Sequence, residues 1–176
     1  MKRITAFAPA HTTGLFFIHD MAEETLKRGS LGAGFSIDLG VYSTVVREDA
    51  AGDTRYELNG ASIDAAEVPV SESGYRAYRT LVPELESASL SVSQKIDPPQ
   101  GSGFGTSGAG ALSLSLALNA VAGSPLNSEE AAGIAHTTEV ENKTGLGTVI
   151  GEFYGGGEIR VEAGAPGYGR IEPIAF

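Results

Sequence analysis

The 176-residue chain contains no cysteine and no tryptophan, and it is poor in basic residues. Without cysteine there is no disulfide, no thiolate nucleophile and no thiolate metal ligand, and the sequence gives no indication of a redox compartment. Only 12 Lys and Arg stand against 22 Asp and Glu, and the net charge of −10 argues against an electrostatic nucleic-acid binder. The sequence also has no signal peptide and no apolar run of about 18 residues, so we expect a cytoplasmic protein without a membrane segment.

Glycine, by contrast, is abundant, and residues 97–121 are organised around it. A double proline is followed by a loop with glycine at every second position from 101 to 105, by Thr106 and Ser107, and by an almost wholly apolar segment. Glycine permits positive φ and lets backbone amides approach a ligand closely. Thr106 and Ser107 are favoured N-cap types, so we expect a helix to begin here with about half a positive charge facing the loop. This order predicts an anion site that suits phosphate.

Two common phosphate-binding loops fit this stretch less well. The P-loop ends in Gly-Lys followed by Ser or Thr, and the chain contains no Gly-Lys pair. Residues 103–108 do match G-x-G-x-x-G, and Glu129 and Glu130 follow at about the distance of a ribose-binding acid. These acids, however, come directly after Asn127 and Ser128 in a predicted capped helix start rather than at the end of a strand. The double proline also separates the glycines from the preceding strand, which disfavours the dinucleotide-binding reading.

The glycine stretch resembles the signature of a known family. Residues 99–109 read Pro-Gln-Gly-Ser-Gly-Phe-Gly-Thr-Ser-Gly-Ala and resemble P-x-G-x-G-L-G-S-S-A of the GHMP small-molecule kinases. Residues 8–16 and 27–34 resemble the archaeal pantoate kinases of that family, and the resemblance continues through residues 135–139 and 144–149. It therefore spans essentially the whole chain, and its glycine signature is long and fairly specific.

The order of predicted elements indicates an α+β domain with two layers. Alternating and β-branched residues predict strands over 4–9, 35–46, 87–96 and 158–162, with a loop over 11–20. Asn59-Gly60 predicts a two-residue hairpin after a strand at 55–58. Helices are predicted over 71–85 with Ser71 as cap, from Thr106 onwards, over 129–142, and over 148–153.

The resemblance implies a particular form of this fold and a domain border. It implies the two-layer, ribosomal S5 domain 2-like fold of the N-terminal domain of the GHMP kinases. We assign residues 1–163 to this ATP-binding domain. Residues 164–176 then form an exit loop at the start of a C-terminal ferredoxin-like domain, which the 176 residues do not contain. We therefore expect either a fragment cut at the domain border or a natural half-protein.

The resemblance also implies ATP and Mg²⁺ as cofactors. The nucleotide would be held by Pro99, Gly101, Ser102, Gly103, Phe104, Gly105, Thr106, Ser107, Gly108 and Ala109. Mg²⁺ would be bound by Ser107 and Glu139, since magnesium takes one or two protein oxygens beside phosphate oxygens and water. His136, Glu139 and Lys143 are spaced to lie on one helical face. From the residues alone, two alternatives to metal binding remain. Ser107 would simply cap the helix, and His136, Glu139 and Lys143 would form a solvated charged face.

For the second substrate, the resemblance implies contacts from Ser30, His136 and Arg160, with His11 and Arg28 in loops nearby. Arg160 would pair with a substrate carboxylate through two parallel hydrogen bonds. A structural role for His136 and simple surface charge for His11 and Arg28 remain open alternatives.

Position 148 departs from the resemblance. Many kinases of this superfamily carry an aspartate after the Gly-x-Gly as base or metal partner, but here the residue is Thr148, whose hydroxyl cannot accept a proton near neutral pH. Glu152 lies one helical turn on and is our hypothesis for the missing carboxylate. The expected catalytic set is therefore Ser107, Glu139, Thr148 and Glu152, although phosphoryl transfer can also proceed by positioning and charge neutralisation without a formal base.

We expect ATP-dependent phosphorylation of pantoate to 4-phosphopantoate, a step that the resemblance places in coenzyme A biosynthesis. Another kinase of the superfamily, acting on homoserine, shikimate or mevalonate, is the alternative among enzymes. A nucleotide-binding remnant without catalysis is the alternative from a different class, because Thr148 and the missing second domain would both fit it. We expect the small-molecule substrate as the partner, and neither nucleic acid nor a membrane. A homodimer is a further possibility that the sequence does not decide.

Overall fold

The fold is built on one seven-stranded sheet. It is seen in a computed structural model that describes residues 2–48, 52–86 and 88–175. The strands are β1 (Lys2–His19), β2 (Gly29–Arg47), β3 (Arg55–Leu58), β4 (Ala61–Ile63), β5 (Leu90–Ile96), β6 (Gly157–Glu162) and β7 (Arg170–Ile174). Their order is β4-β3-β5-β2-β6-β7, and β1 pairs with β2. All of these pairs are antiparallel except β3 with β5.

Helices form the second layer. They are α1 (Pro69–Leu81), α2 (Pro83–Glu86), α3 (Thr106–Val121), α4 (Ser128–Asn142) and α5 (Thr148–Tyr154), with short 3₁₀ turns at Thr25–Lys27 and Ala65–Glu67. Helix α3 packs on β1 and β2 and also contacts α1, α4 and α5. This two-layer arrangement agrees with the α+β expectation.

Helix α3 is central because it is apolar or small on nearly every side. A helix with apolar residues all round must be buried, and most of its residues are, among them Leu112, Leu114 and Leu118. Its interior hydroxyls are paired, as in the 2.7 Å hydrogen bond between Ser113 and Ser43. At its C-terminal end the ammonium of Lys2 donates to two backbone carbonyls, which places a cation at the negative end of the helix dipole. The C-terminal end of α3 is thereby tied to the start of β1.

Several local predictions are confirmed. Asn59 and Gly60 have φ of 50° and 83° and join β3 to β4 as a tight hairpin turn. Asn127 caps α4, and Glu130 reaches back to the Asn127 backbone amide in a capping box. Such signals are read correctly because they depend on neighbours within a few residues.

The loop predicted over residues 11–20 is wrong. Those residues continue β1 as far as His19, and β2 begins at Gly29, well before the predicted start at residue 35. The two strands form one long antiparallel hairpin in which Phe16 pairs with Gly32 and Ile18 with Ser30. Gly32 allows the two strands to approach closely, since a Cβ there would collide with the backbone of β1.

The helix predicted over residues 71–85 is displaced. It begins at Pro69, a favoured residue for a first helical position, and it ends at Leu81, before Pro83 opens α2. Ser71 is therefore not a cap, and its buried hydroxyl donates to the Gln94 side chain at 2.7 Å. The strand predicted from residue 87 begins at Leu90; Ser87 itself lies outside the described residues.

The C-terminal segment adds a strand to the same sheet. After a turn at residues 164–169, Arg170–Ile174 forms β7 and pairs with β6. Phe176, the last residue of the predicted exit segment, lies outside the described residues. The predicted domain border after residue 163 stays a prediction. Among the helices in the described part of the chain, none is long and apolar enough to cross a membrane.

Candidate functional site

A cavity of about 680 Å³ opens beside the glycine loop. It lies between the far end of the β1–β2 hairpin, the loop before α3, and the turn between α4 and α5. Its walls are formed by His11, Thr13, Phe16, Ile18, Asp20, Arg28, Ser30, Gly103, Gly105, Val140, Lys143, Thr144, Gly145, Leu146 and Thr148. One wall is thus apolar and aromatic, and another carries backbone and hydroxyl groups.

The glycine loop has the backbone that its sequence predicts. Gly101, Gly103 and Gly105 all have positive φ, at 72°, 80° and 60°. Gly105 itself is the N-cap of α3, without a side-chain hydrogen bond, so the predicted capping by Thr106 or Ser107 is wrong. No side chain therefore caps the first turn of α3, and its backbone N–H groups remain donors for a ligand beside the cavity.

Ser107 uses its hydroxyl to contact Glu139 instead of capping the helix. Its Oγ donates to Glu139 Oε1 at 2.5 Å, and Thr144 Oγ1 donates to the same oxygen at 2.7 Å. Burial raises the pKa of Glu139, whereas the two hydroxyl donors act in the opposite direction. A hydroxyl and a carboxylate at an uncapped helix start fit the oxygen donors that Mg²⁺ prefers. The residues named for the metal are therefore in mutual contact.

Thr148 and Glu152 approach the same turn of α3 from α5. A Cβ added to Gly108 would lie 2.7 Å from Thr148 Oγ1 and 2.6 Å from Glu152 Oε2, so both side chains face this glycine, as their spacing predicts. Thr148 lines the cavity, but Glu152 lies behind it, fully buried. Neither carboxylate oxygen has a hydrogen-bond partner among the described residues. Burial, and next the charge of Glu139, raise the pKa of Glu152 well above its ordinary value.

His11 and Arg160 meet at a residue that the sequence reasoning missed. Glu158 accepts from His11 Nε2 at 3.0 Å and from Arg160 Nη1 at 2.6 Å, and all three side chains are buried. Burial lowers the pKa of Arg160, while the Glu158 charge acts against that shift. Arg160 is not among the residues that line the cavity. The period of two along β6 could have indicated Glu158, because residues 158 and 160 share a face of the strand.

His136 is buried against the backbone instead of facing the cavity. Its Nε2 donates to the carbonyl of Arg28 at 2.9 Å, and burial lowers its pKa. This contact holds the segment that carries Arg28 and Ser30, both of which do line the cavity. Lys143 does not continue the α4 face as predicted, because it leaves the helix with φ of 58°.

The expected residues therefore form three groups around one cavity. The loop glycines, Ser107, Glu139, Thr148 and Glu152 surround the start of α3. Ser30, Arg28 and His11 lie on the β1–β2 side, and His136 and Arg160 lie directly behind that wall. Such a site can hold an anion at a helix start beside a second, partly apolar ligand.

Comparison with known proteins agrees with this geometry. The model of the GHMP kinases N terminal domain matches residues 73–156, which contain the glycine loop and α3 to α5. Pantoate kinase of Thermococcus kodakarensis is 39% identical over 176 residues, 98% of this chain and 56% of that protein. By these matches the chain is similar to the GHMP kinase family. The two-layer α+β fold expected for a GHMP kinase N-terminal domain agrees with this match.

Solved structures support the same assignment. A structure described as a phosphotransferase related to the CoA biosynthesis pathway superimposes with a TM-score of 0.90 at 36% identity, over 99% of this chain and 58% of that one. A structure described as MDDEF in complex with MVAPP, AMPPCP and Magnesium gives 0.70 at 16% identity, over 99% and 51%, which concerns the fold alone. The chain spans about half the length of the GHMP proteins that it matches.

Proposed function

We propose that this GHMP domain binds Mg–ATP and phosphorylates pantoate on its primary hydroxyl, giving 4-phosphopantoate for coenzyme A synthesis. The observation that carries the proposal is the Ser107–Glu139 contact at the uncapped start of α3, directly beside a loop of positive-φ glycines. The pantoate kinase of Thermococcus kodakarensis supports the choice of acceptor, at 39% identity.

The loop residues bind the nucleotide in this proposal. Backbone amides of residues 101–109 donate to the phosphate oxygens, and the α3 dipole favours their negative charge. Ser107 and Glu139 hold the metal, which neutralises charge on the transferred group when bound. Cβ atoms on Gly101 or Gly103 would meet nothing within 4 Å, so the loop offers open space for a triphosphate.

The β1–β2 side of the cavity binds the acceptor. Phe16 and Ile18 give an apolar wall for a branched carbon skeleton, and Ser30 offers a hydroxyl contact. Arg28 provides positive charge at the cavity, and Arg160 lies behind Thr13 in its wall. The acceptor oxygen forms a bond to the γ-phosphorus, the bond from that phosphorus to the β-phosphate oxygen breaks, and ADP leaves.

The proton of the acceptor hydroxyl needs a destination. Thr148 lines the cavity, and Glu152 lies behind it against Gly108. We infer that Glu152 receives the proton through the Thr148 hydroxyl once these two side chains, which both face Gly108 but are not hydrogen-bonded in this structure, come into contact. Binding without turnover is the second candidate function. It is favoured because Asp20 is the only carboxylate among the described residues that line the cavity, so few groups there can accept a proton from the acceptor hydroxyl.

An assay of ADP release tests the proposal. The 176-residue chain is incubated with Mg–ATP and pantoate, and in parallel with homoserine, shikimate or mevalonate. We expect ADP release that depends on pantoate and is absent from the Glu139→Gln variant. Release with another acceptor would replace the substrate and keep the kinase. Binding of ATP without release from any acceptor would establish the non-catalytic alternative.

A further inference from the structure

Four polar side chains beside the cavity form a closed ring of hydrogen bonds between β1 and β6. Glu158 contacts His11 Nε2 at 3.0 Å and Arg160 Nη1 at 2.6 Å. Thr13 Oγ1 closes the ring, at 3.3 Å from His11 Nδ1 and 3.5 Å from Arg160 Nη2. His11, Glu158 and Arg160 are buried and Thr13 is half-buried, and both His11 and Thr13 contribute to the cavity wall.

The donor roles in this ring follow from its chemistry. An ionised carboxylate only accepts, so His11 Nε2 carries a proton that points at Glu158. Thr13 Oγ1 lies within hydrogen-bond distance of His11 Nδ1 and accepts from Arg160. Glu158 is the member that fixes both the imidazole tautomer and the guanidinium orientation.

Packing leaves the imidazole little freedom to move. A Cβ on Gly34 would lie 2.7 Å from His11 Nε2, and one on Gly151 would lie 2.8 Å from the same atom. The backbone N–H of His11 donates to the Phe104 carbonyl at 3.0 Å. The residue whose ring Glu158 clamps is thus also bonded to the glycine loop.

We propose that Glu158 is a positioning residue that holds the side chains of His11 and Arg160. By holding both, it fixes the position of the glycine loop relative to the β1–β2 side of the cavity, where the acceptor binds. This inference rests on the proposed function, because it takes Arg160 as the group that meets a substrate carboxylate. Arg160 is buried behind Thr13 in this structure and does not line the cavity, so the task requires the Thr13 contact to open, and Arg160 retains donors for it. Its Nε has no partner among the described residues, and the contact of its Nη2 with Thr13 is long.

Kinetics of Glu158→Gln test the positioning role. Glu158 Oε1 accepts from both Arg160 Nη1 and His11 Nε2, and Oε2 lies 3.1 Å from His11 Nε2. Glutamine removes the charge, and its amide accepts at only one of its two ends, so an NH₂ group replaces one of these acceptors. We expect the KM for pantoate to rise about tenfold while kcat stays within about threefold, because ground-state binding is lost. Glu162→Gln is the matched control on the same strand, since Glu162 is exposed and pairs only loosely with Arg170. A folded Glu158→Gln variant with wild-type KM would overturn the proposal.

Nuclear magnetic resonance tests the clamp without any substrate. The chain has only three histidines, so ¹⁵N spectra of the imidazoles can be assigned with a His11→Asn variant. We expect a proton on His11 Nε2, and shifted amide signals at residues 103–105 in Glu158→Gln but not in Glu162→Gln. A ring protonated on Nδ1 alone, or unshifted loop amides, would overturn the proposal.

Two further results separate the possible failures. If Glu158→Gln does not fold, Glu158→Asp keeps the charge but is one methylene too short to reach both partners, and the same loop shifts are expected. Wild-type loop amides in the aspartate variant would overturn the proposal. If the wild-type chain releases no ADP with pantoate, the proposed function fails, and the tautomer and loop shifts still decide whether Glu158 acts as the clamp.

Discussion

Replacement of Glu152 by glutamine is expected to stabilise the chain above neutral pH and to lower its turnover. Glu152 is fully buried, neither of its oxygens has a partner among the described residues, and Glu139 lies close enough to repel it. A buried carboxylate without donors is costly in its charged form. Glutamine keeps the shape of the side chain and removes that charge.

The sign and size of the effect follow from linkage. Because the folded-state pKa of Glu152 is raised above 4.5, the unfolded chain releases a proton that the folded chain keeps. Between 4.5 and the raised value, the free energy of unfolding therefore falls as pH rises, by up to about 1.4 kcal/mol per pH unit. Glu139 adds a slope of the same sign. His136 acts oppositely, but only below pH 6.5, because its folded-state pKa is lowered.

Urea denaturation from pH 4.5 to 8.5, in metal-free buffer, measures this slope, and the His136 contribution cancels in the comparison because it is the same in each variant. We expect the wild-type chain to lose stability across this range and Glu152→Gln to lose less, with Glu162→Gln following the wild type. The same variant should lose about 10²-fold in turnover if Glu152 receives the proton through Thr148. Parallel stability curves for Glu152→Gln and the wild type would refute the burial argument, and unchanged turnover would refute the proton route.

Two substitutions test the packing around the site. Gly108→Ala should destabilise the chain by about 1–3 kcal/mol in urea titrations, because its methyl would lie 2.6 Å from Glu152 and 2.7 Å from Thr148; wild-type stability would mean that α5 moves away freely. Ser71→Ala should cost about 1–3 kcal/mol by leaving the buried Gln94 oxygen unpaired, since the Gln94 amide is fixed by its own donor bonds. A loss below a few tenths of a kcal/mol would show that water or a rotated amide replaces the hydroxyl.

The parts of the fold that could be predicted are those set by near neighbours. The positive-φ glycine loop, the Asn59-Gly60 turn and the capping box of α4 each depend on a few consecutive residues. The β1–β2 hairpin could not be read in this way. Leu15 and Phe17 are largely exposed, so the alternation that marks a half-buried strand is absent there.

The sequence predicted which residues form the candidate site better than it predicted the contacts among them. The resemblance named Ser107, Glu139 and Arg160, but not that Ser107 would leave the cap to Gly105. It also did not name Glu158, because its histidine partner lies 147 residues away and only the strand face shared with Arg160 could have indicated it. The homodimer considered from the sequence stays a prediction.

The most direct test of the central claim is calorimetric titration of ATP, with and without Mg²⁺, into the wild-type chain and into the Ser107→Ala and Glu139→Gln variants. The start of α3 is proposed to hold the nucleotide phosphates, with the metal bound by these two side chains. We expect wild-type affinity to increase with Mg²⁺, and both variants to lose most of that increase while they retain metal-free binding to the loop amides. Equal Mg–ATP affinity in all three proteins would contradict the proposed site.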